Sequence, residues 1–270
     1  MKYMTFNFSC SYAGLANLLA LHGLDTEDRT IALDMGLPYL FALEDRRYAA
    51  GPMLQGKRWF DLFLLPRGFM MVEEAVRRED VSAYLQDHGP AMLGLRVSPE
   101  SKHAVIYTSF YAGMYRFLNN KRRGSEEPDE LFLTEEELLD RLDKNVTVGT
   151  VVPTAPEKTG LRPLLSASLE TLERMREDML EFCRREPGPQ EIREAMDPLF
   201  RALLLDGITM LELLGEQEVR GMLRTLQGQL LTAVRENTIL RMDTELLERA
   251  VEGYAALITA QIDSADGEKL

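Results

Sequence analysis

Apolar residues recur at helical spacing directly after Cys10. Leu15, Leu18 and Leu19 share one helix face, and Gly23 follows as a stop, which predicts a first helix of about three turns that packs through its leucines. A second helix is predicted to begin at the cap formed by Asp25 and Thr26 and to end at Gly36. The chain therefore places a cysteine after an extended run and at the start of a helix.

The next part of the chain has a weaker pattern. Residues 37–63 are interrupted by Gly51-Pro52 and Gly56, which favours loops and short strands. The aromatic run at 58–63 either lines a substrate cleft or fills the core beneath a loop. Residues 73–87 predict a helix that ends at His88-Gly89-Pro90.

The hydrophobic period then changes to that of a sheet. Residues 91–97, 103–110 and 114–120 predict three strands, and Gly113 predicts a hairpin turn between the last two. The charged stretch 121–130 predicts a solvated loop. A capping box at Thr134–Glu137 predicts a short helix to Leu142, and residues 146–152 predict one more strand.

Helical patterns fill the remainder of the chain. A proline-rich segment, 153–160, predicts a linker. Helices are predicted at 164–183, at 192–214 with a kink at Asp197-Pro198, at 219–240 and at 246–262. We expect an α+β domain over residues 1–152, with an N-terminal helix and an antiparallel sheet, followed by an all-α helical bundle over 161–263.

Composition narrows the class of protein. A hydrophobic content of 45% can build a core, and no stretch reaches the roughly 20 apolar residues of a membrane span. The net charge of −13 disfavours nucleic acid and anionic membranes as partners. The two cysteines lie far apart, which argues against a disulfide framework or a metal site. We expect a cytoplasmic protein with no segment removed before Cys10, no metal and no cofactor.

Cys10 is the candidate nucleophile. The field at a helix N-terminus favours the thiolate, and a thiolate with a histidine partner is what nucleophilic cysteine catalysis requires. Of the three histidines, His22 lies twelve residues further along the predicted helix, about 18 Å away. His88 suits a helix C-terminal cap, which leaves His103, at the start of a strand, as the predicted base.

A base histidine needs a group that fixes its tautomer. Asn119 and Asn120 on the neighbouring strand supply amides, and strand alternation places the two on opposite faces. Spacing alone leaves the choice open, and both asparagines also suit a turn.

The order of these segments resembles a known family. The runs Cys10–Gly23, Gly89–Met92 and His103–Tyr107 are similar to papain-like cysteine peptidases of the bacteriocin-leader-processing type. They are more closely similar to the family of the N-terminal domain of butirosin biosynthesis protein H. The resemblance covers about residues 1–152 and implies a papain-like fold with Cys10 as nucleophile and His103 as base. It also implies transfer of an acyl chain from a carrier thioester to an amine.

The resemblance departs from the family pattern at two places. It places Asn120 at the orienting position, where the peptidases usually have aspartate, and Lys121 where they have proline. It also places Met4 where the peptidases have the glutamine of the oxyanion hole. Asn7, with the backbone N–H of Cys10, is the candidate substitute.

Three functions agree with these residues: a cysteine-dependent acyltransferase, a cysteine peptidase or amidase, and a non-catalytic interaction module in which Cys10 is a small buried residue. The first is preferred. Expected partners are a small-molecule or peptide substrate and an acyl carrier protein, for which Arg184-Arg185 or Lys121-Arg122-Arg123 are candidate contacts. The helical region is a candidate surface for a homo-oligomer.

Overall fold

The structure is a computed structural model that describes residues 1–99 and 101–267, with side chains up to residue 264. Its helices are α1 (Cys10–Leu21), α2 (Asp28–Asp34), α3 (Lys57–Leu64), α4 (Val81–His88), α5 (Glu135–Arg141), α6 (Arg162–Arg184), α7 (Pro189–Ala195), α8 (Ile208–Leu214), α9 (Glu218–Glu236) and α10 (Thr244–Gly267). Its strands are β1 (Phe41–Glu44), β2 (Arg47–Ala50), β3 (Phe69–Arg77), β4 (Ala91–Ser98), β5 (Ser101–Tyr111), β6 (Met114–Asn119), β7 (Glu130–Leu133) and β8 (Asn145–Pro153).

The chain forms two compact units. The sheet unit contains Met1–Met35 and Gln55–Thr159, and the helical unit contains Gly36–Leu54 and Gly160–Leu270. The chain passes between the two units after Met35, after Leu54 and after Thr159, and the last of these crossings lies within the predicted linker. The β1–β2 hairpin belongs to the helical unit, whereas its residues were predicted to belong to the first domain.

The sheet unit is built on six antiparallel strands in the order β3-β8-β4-β5-β6-β7. The predicted β5–β6 hairpin is confirmed, with Gly113 at φ +80° in its turn. A core of buried residues joins the sheet to α4 and α5: Val81, Leu85, Leu93, Leu95, Val105, Tyr107, Tyr115, Phe117, Leu138 and Val148. The mixed arrangement of one antiparallel sheet with helices agrees with the predicted α+β class.

Helix α1 packs closely against β4, β5 and β8. Gly14 makes this approach possible, because a Cβ atom there would lie 2.7 Å from the amide nitrogen of Asn120 and 2.8 Å from the sulfur of Met92. The contact fixes the direction in which the N-terminus of α1, and with it Cys10, points.

The helical unit contains the predicted C-terminal helices together with the β1–β2 hairpin. Its core contains Met175, Met179 and Met210, which are fully or almost fully buried, as expected for methionines that fill a core. The predicted interruption at Asp197-Pro198 is present as π-helical turns at Met196–Phe200 and Ala202–Gly207. Within the described residues, none of the helices has both the length and the apolar character needed to cross a bilayer.

Three local predictions are wrong. Residues 69–77 form strand β3, so that the predicted helix 73–87 is reduced to α4. The aromatic run forms helix α3, which buries Trp59, Phe60 and Phe63, whereas loops and short strands were expected. The charged stretch after β6 leads into strand β7, and Lys121 at its start is buried instead of solvated.

Candidate active site

A network around Asp28 holds the turn that precedes Cys10. The Asp28 carboxylate is fully buried and accepts hydrogen bonds from Thr5 N (2.7 Å), Thr5 Oγ1 (2.7 Å), Ser9 Oγ (2.6 Å) and Arg29 N (2.7 Å). Phe8 in this turn has φ +60°, a left-handed conformation that is uncommon for a residue with a side chain. Cys10 is thereby fixed as the first residue of α1, where the helix dipole favours negative charge.

Cys10 opens onto a cleft of about 550 Å³ in the sheet unit. The cleft is lined by residues from α1, from the segment before α3 and from strands β3, β4, β5 and β8. The complete lining is Cys10, Ser11, Gln55, Gly56, Phe60, Glu73, Met92, Leu93, Gly94, Lys102, His103, Ala104, Thr147 and Gly149. Cys10 and His103, which are distant in sequence, therefore line one cleft. Of the predicted aromatics, Phe60 both lines this cleft and is buried.

The ring of His103 is held from two sides. Its Nδ1 lies 2.9 Å from Asn119 Oδ1, and its Nε2 lies 2.9 Å from Ser101 Oγ. Asn119 Nδ2 donates to Pro128 O at 3.0 Å, which fixes the amide so that its oxygen faces the imidazole. Because that oxygen can only accept, Nδ1 carries the proton and Nε2 is the nitrogen that can act as a base.

Asn120 takes a different role from Asn119. It is fully buried, its Oδ1 accepts from Asn17 Nδ2 at 2.8 Å, and its Nδ2 donates to Ala104 O at 2.7 Å. These bonds tie the end of β6 to α1 and to β5. The family pattern pointed to Asn120 as the orienting residue, but Asn119 is the asparagine that contacts His103.

Cys10 and His103 share the cleft without a hydrogen bond between them in the part of the chain that the structure describes. The Nε2 atom that would face the sulfur is hydrogen-bonded to Ser101 instead. Catalytic hydrogen bonds are often long or unformed in enzymes without substrate, and tighten when substrate binds. A Cys10–His103 pair requires the ring to exchange Ser101 for the sulfur.

Asn7, the candidate for the oxyanion hole, lies outside the lining of the cleft. Its side-chain oxygen accepts a hydrogen bond from Arg122. Gln55 is a side-chain amide that lines the cleft together with Cys10. Its Oε1 accepts from Ser11 Oγ, and among the described residues its Nε2 has no hydrogen-bond partner. Gln55 follows Cys10 by 45 residues, so a local motif could not have identified it.

Glu127 approaches the same histidine from the charged stretch after β6. Its Oε2 lies 3.4 Å from His103 Nδ1 and 3.4 Å from Asn119 Nδ2, and its Oε1 accepts from Ser101 Oγ at 3.3 Å. Glu127 lies in the stretch that was predicted to be a solvated loop, so its contact with His103 was not predicted. The pairing of β5 with β6, and not a motif, brings it near His103.

The remaining histidines and the second cysteine lie in other environments. His22 packs against Phe69 at the far end of α1, and His88 Nδ1 lies 3.0 Å from Tyr84 O at the end of α4. Cys183 is buried, lies 3.9 Å from Met242 Sδ, and burial raises its pKa to about 11. Cys183 is therefore held as a thiol at neutral pH.

Two charged side chains complete the cleft. Lys102 is paired with Asp143 at 2.5 Å, whereas the Glu73 carboxylate has no hydrogen-bonded or ion-paired partner in the described ranges. Within those same ranges, no three His, Cys, Asp or Glu side chains converge in a way that could hold a metal ion.

Comparison with known proteins adds no relative: no protein-family model matches the chain, and no curated protein sequence matches it.

Proposed function

We propose that the protein is a cysteine-dependent acyltransferase that forms an acyl-thioester on Cys10 and passes the acyl group to an amine. The observation that carries the proposal is the convergence of Cys10, at the start of α1, and His103, at the start of β5, on one cleft. The Asn119 contact, which leaves Nε2 of His103 as the basic nitrogen, supports it. In this proposal the sheet unit is a papain-like domain.

The reaction has two steps. Cys10 sulfur, as the thiolate, attacks the carbonyl carbon of a thioester donor. A new C–S bond forms, the donor's C–S bond breaks, and protonated His103 gives its proton to the departing thiolate. The amine nitrogen then attacks the acyl carbon, His103 takes the proton that the amine loses, and Cys10 leaves as the thiolate. The sum is a thioester and an amine converted to an amide and a thiol.

Two groups stabilise the oxyanion formed in each step in this mechanism. The backbone N–H of Cys10 lies in the first turn of α1, where N–H groups have no acceptor within the helix. Gln55 Nε2 is the second donor, in place of the glutamine that the family has before its cysteine and of Asn7. Each such donor contributes about 10²- to 10³-fold to turnover in other acyl-transfer enzymes.

Glu73 favours an amine over water as acceptor. An unpaired carboxylate on the wall of the cleft attracts a cationic molecule, and an amine-bearing acceptor supplies that charge. Exposed arginine pairs at Arg122-Arg123 and Arg184-Arg185 are candidate contacts for an acidic carrier protein that delivers the acyl group. Lys121 is no longer a candidate contact for the carrier protein, because it is buried.

The test is an acyl-transfer assay with small thioesters. N-acetylcysteamine thioesters of different acyl groups are incubated with a panel of primary amines, and the amide products are quantified by mass spectrometry. We expect Cys10→Ala to remove the product and Cys183→Ala, the matched control, to retain it. Amide formation by Cys10→Ala at the wild-type rate would overturn the proposal. Cleavage of peptides by the wild type without amide formation would identify a peptidase instead.

A further inference from the structure

We propose that Glu127 is a positioning residue that stabilises the protonated form of His103 and so maintains the reactive thiolate of Cys10. The inference rests on the proposed function, and it names a group that the family pattern does not include. Three contacts carry it: the carboxylate reaches His103 Nδ1, the amide of Asn119 and the hydroxyl of Ser101. All the residues that hold the His103 ring thus also touch Glu127.

The hydrogen-bond donors and acceptors around His103 explain why a carboxylate stabilises the protonated ring. Asn119 Oδ1 accepts from Nδ1–H in both charge states of the ring. The Ser101 hydroxyl has a single proton. When Nε2 is unprotonated, Ser101 donates to it, and when Nε2 is protonated, Ser101 accepts from it and turns its own proton to Glu127 Oε1. Glu127 thus provides an acceptor that is needed only when His103 is an imidazolium.

The location of Glu127 makes the charge effective. The side chains of His103 and Glu127 are 18% and 30% exposed, so the carboxylate is only partly screened by water. A positive imidazolium beside this carboxylate is stabilised relative to the neutral ring. Since the imidazolium is the counter-ion of the Cys10 thiolate, the same contact favours the ion pair on which nucleophilic attack depends.

The loop that carries Glu127 is held by contacts with Lys121 and Asn119. Lys121 is buried, and its Nζ donates to Ser125 O at 3.0 Å and to Glu127 O, and lies 3.0 Å from Asp129 Oδ1. The backbone N–H of Asn119 donates to Asp129 O at 2.8 Å. These bonds hold the backbone of Glu127 in place, so that its carboxylate faces His103 and not bulk solvent.

Among the described residues, three other ionisable side chains line the cleft with His103. Cys10 reaches the cleft from α1, Glu73 from β3 and Lys102 from β5, and Lys102 is already paired with Asp143. Lys121 and Asp129 lie behind the loop as a pair. Glu127 is the carboxylate that lies within 3.4 Å of the His103 ring.

The test compares Glu127→Gln with Glu126→Gln, which removes the same charge from the exposed neighbouring position. The rate of Cys10 alkylation by iodoacetamide is measured from pH 4 to 10 by peptide mass spectrometry. In Glu127→Gln we expect the high-pH limb, where the imidazolium loses its proton, to move to lower pH, and we expect Glu126→Gln to match the wild type. Identical profiles for Glu127→Gln and the wild type would overturn the inference.

A second readout does not depend on reactivity. Ring ¹⁵N signals of the three histidines report which nitrogens carry protons, and His22 and His88 serve as internal references. We expect His103 in Glu127→Gln to gain its second proton at lower pH than in the wild type, with the references unchanged. No movement of the His103 signals would contradict the inference.

The two proposals fail in different ways. If alkylation of Cys10 in the wild type has the same profile as in His103→Ala, the proposed catalytic pair is wrong. If the wild type differs from His103→Ala but Glu127→Gln follows the wild type, only the role of Glu127 is wrong.

Discussion

Among the residues whose side chains the structure describes, each unit contains one cysteine and one fully buried aspartate, and the surroundings of these pairs differ. In the sheet unit, Cys10 opens onto a cleft and Asp28 accepts four hydrogen bonds. In the helical unit, Cys183 is buried against Met242, and Asp206 Oδ1 has no partner within the described residues although Arg201 Nε lies 3.2 Å from Oδ2. Similar residues therefore place the proposed nucleophile at a cleft in one unit and fill a core in the other.

The difference shows that burial alone does not tell whether a polar side chain positions its neighbours. Three of the four hydrogen bonds to Asp28 come from Thr5 and Ser9, in the segment before Cys10, and the fourth comes from Arg29 N in α2, so the carboxylate positions that segment against α2. Asp206 lies in a π-helical turn, and desolvation, only partly offset by Arg201, raises its pKa to about 6.

The largest effect is expected from His103→Ala. Removing the proposed base should lower acyl-transfer turnover by about 10²- to 10⁴-fold, because general acid–base catalysis contributes that much. The surroundings of Cys183 should stay unchanged. The measurement is kcat for amide formation, with His88→Ala as control, since His88 stacks on Tyr84 in α4 and is not among the residues that line the cleft. If the turnover of His103→Ala lies within about threefold of the wild-type value, the proposal that Cys10 works with His103, and so differs in function from Cys183, is contradicted.

Asp28→Ala should be the most damaging of the stability variants. It leaves the backbone donor of Thr5 and two hydroxyls without their buried acceptor, at a cost of about 3 kcal/mol in the free energy of unfolding of the sheet unit. Urea unfolding followed by the fluorescence of Trp59, the single tryptophan, reports this unit. Asp25→Ala is the control, because Asp25 pairs with Lys2 at the surface, and its midpoint should match the wild type.

Asn119→Ala and Asn120→Ala separate orientation from stability. Asn120→Ala should cost about 2 kcal/mol in the unfolding free energy, because it removes two buried hydrogen bonds, the one that Asn120 accepts from Asn17 and the one that it donates to Ala104 O. Asn119→Ala should instead lower kcat by about 10- to 100-fold through loss of the His103 tautomer. Urea unfolding and kcat are measured for both variants. The reverse pattern would return the orienting role to Asn120.

Asp206 gives the smallest effect and a defined pH dependence. Its raised pKa means that the folded chain holds the proton more tightly than the unfolded chain, so its contribution to stability is full below pH about 4 and is lost as pH rises through about 6. Asp206→Asn should remove about 2 kcal/mol of that change. Hydrogen exchange of peptides from 202–214 at pH 4.5 and 7.5 measures it, and equal pH dependence in variant and wild type would contradict the assignment.

The sequence predicted the elements that carry a strong local signal. The capping box is present, with Thr134 and Glu137 bonded to each other's backbone. The hairpin at Gly113 and the long helix α6 also match their patterns. These features depend on a few adjacent residues or on a sustained period, which the chain itself displays.

The two missed strands are the edges of the sheet. β3 and β7 each pair with one neighbour, and β3 alternates poorly because residues 73–75 face solvent on both sides. Polar positions on both faces hide the two-residue period and mimic a solvated helix. The misassignment of Glu73 to a helix followed from this, and only the pairing of Glu73 with Gly149 brings it to the cleft.

The candidate site residues also divide into those with a local sequence signal and those that only tertiary contacts bring to the site. Cys10 and His103 were predicted as candidates because a helix start and a strand start are visible in the chain, and alternation along β6 separated Asn119 from Asn120 without choosing between them. The choice required the register of β5 with β6, in which Val105 pairs with Asn119. Gln55, Ser101 and Glu127 required the three-dimensional structure, because each reaches the site through tertiary contacts with no fixed spacing to Cys10.

The central claim is that Cys10, and not Cys183, carries the acyl group. Wild-type protein is incubated with a thioester donor and no amine, and the intact mass and the modified peptide are determined. We predict one acyl group per chain on Cys10, removed when an amine is added, and none on Cys183. Amide product formed without any acyl group on Cys10, or acylation of Cys183 instead, would contradict the account.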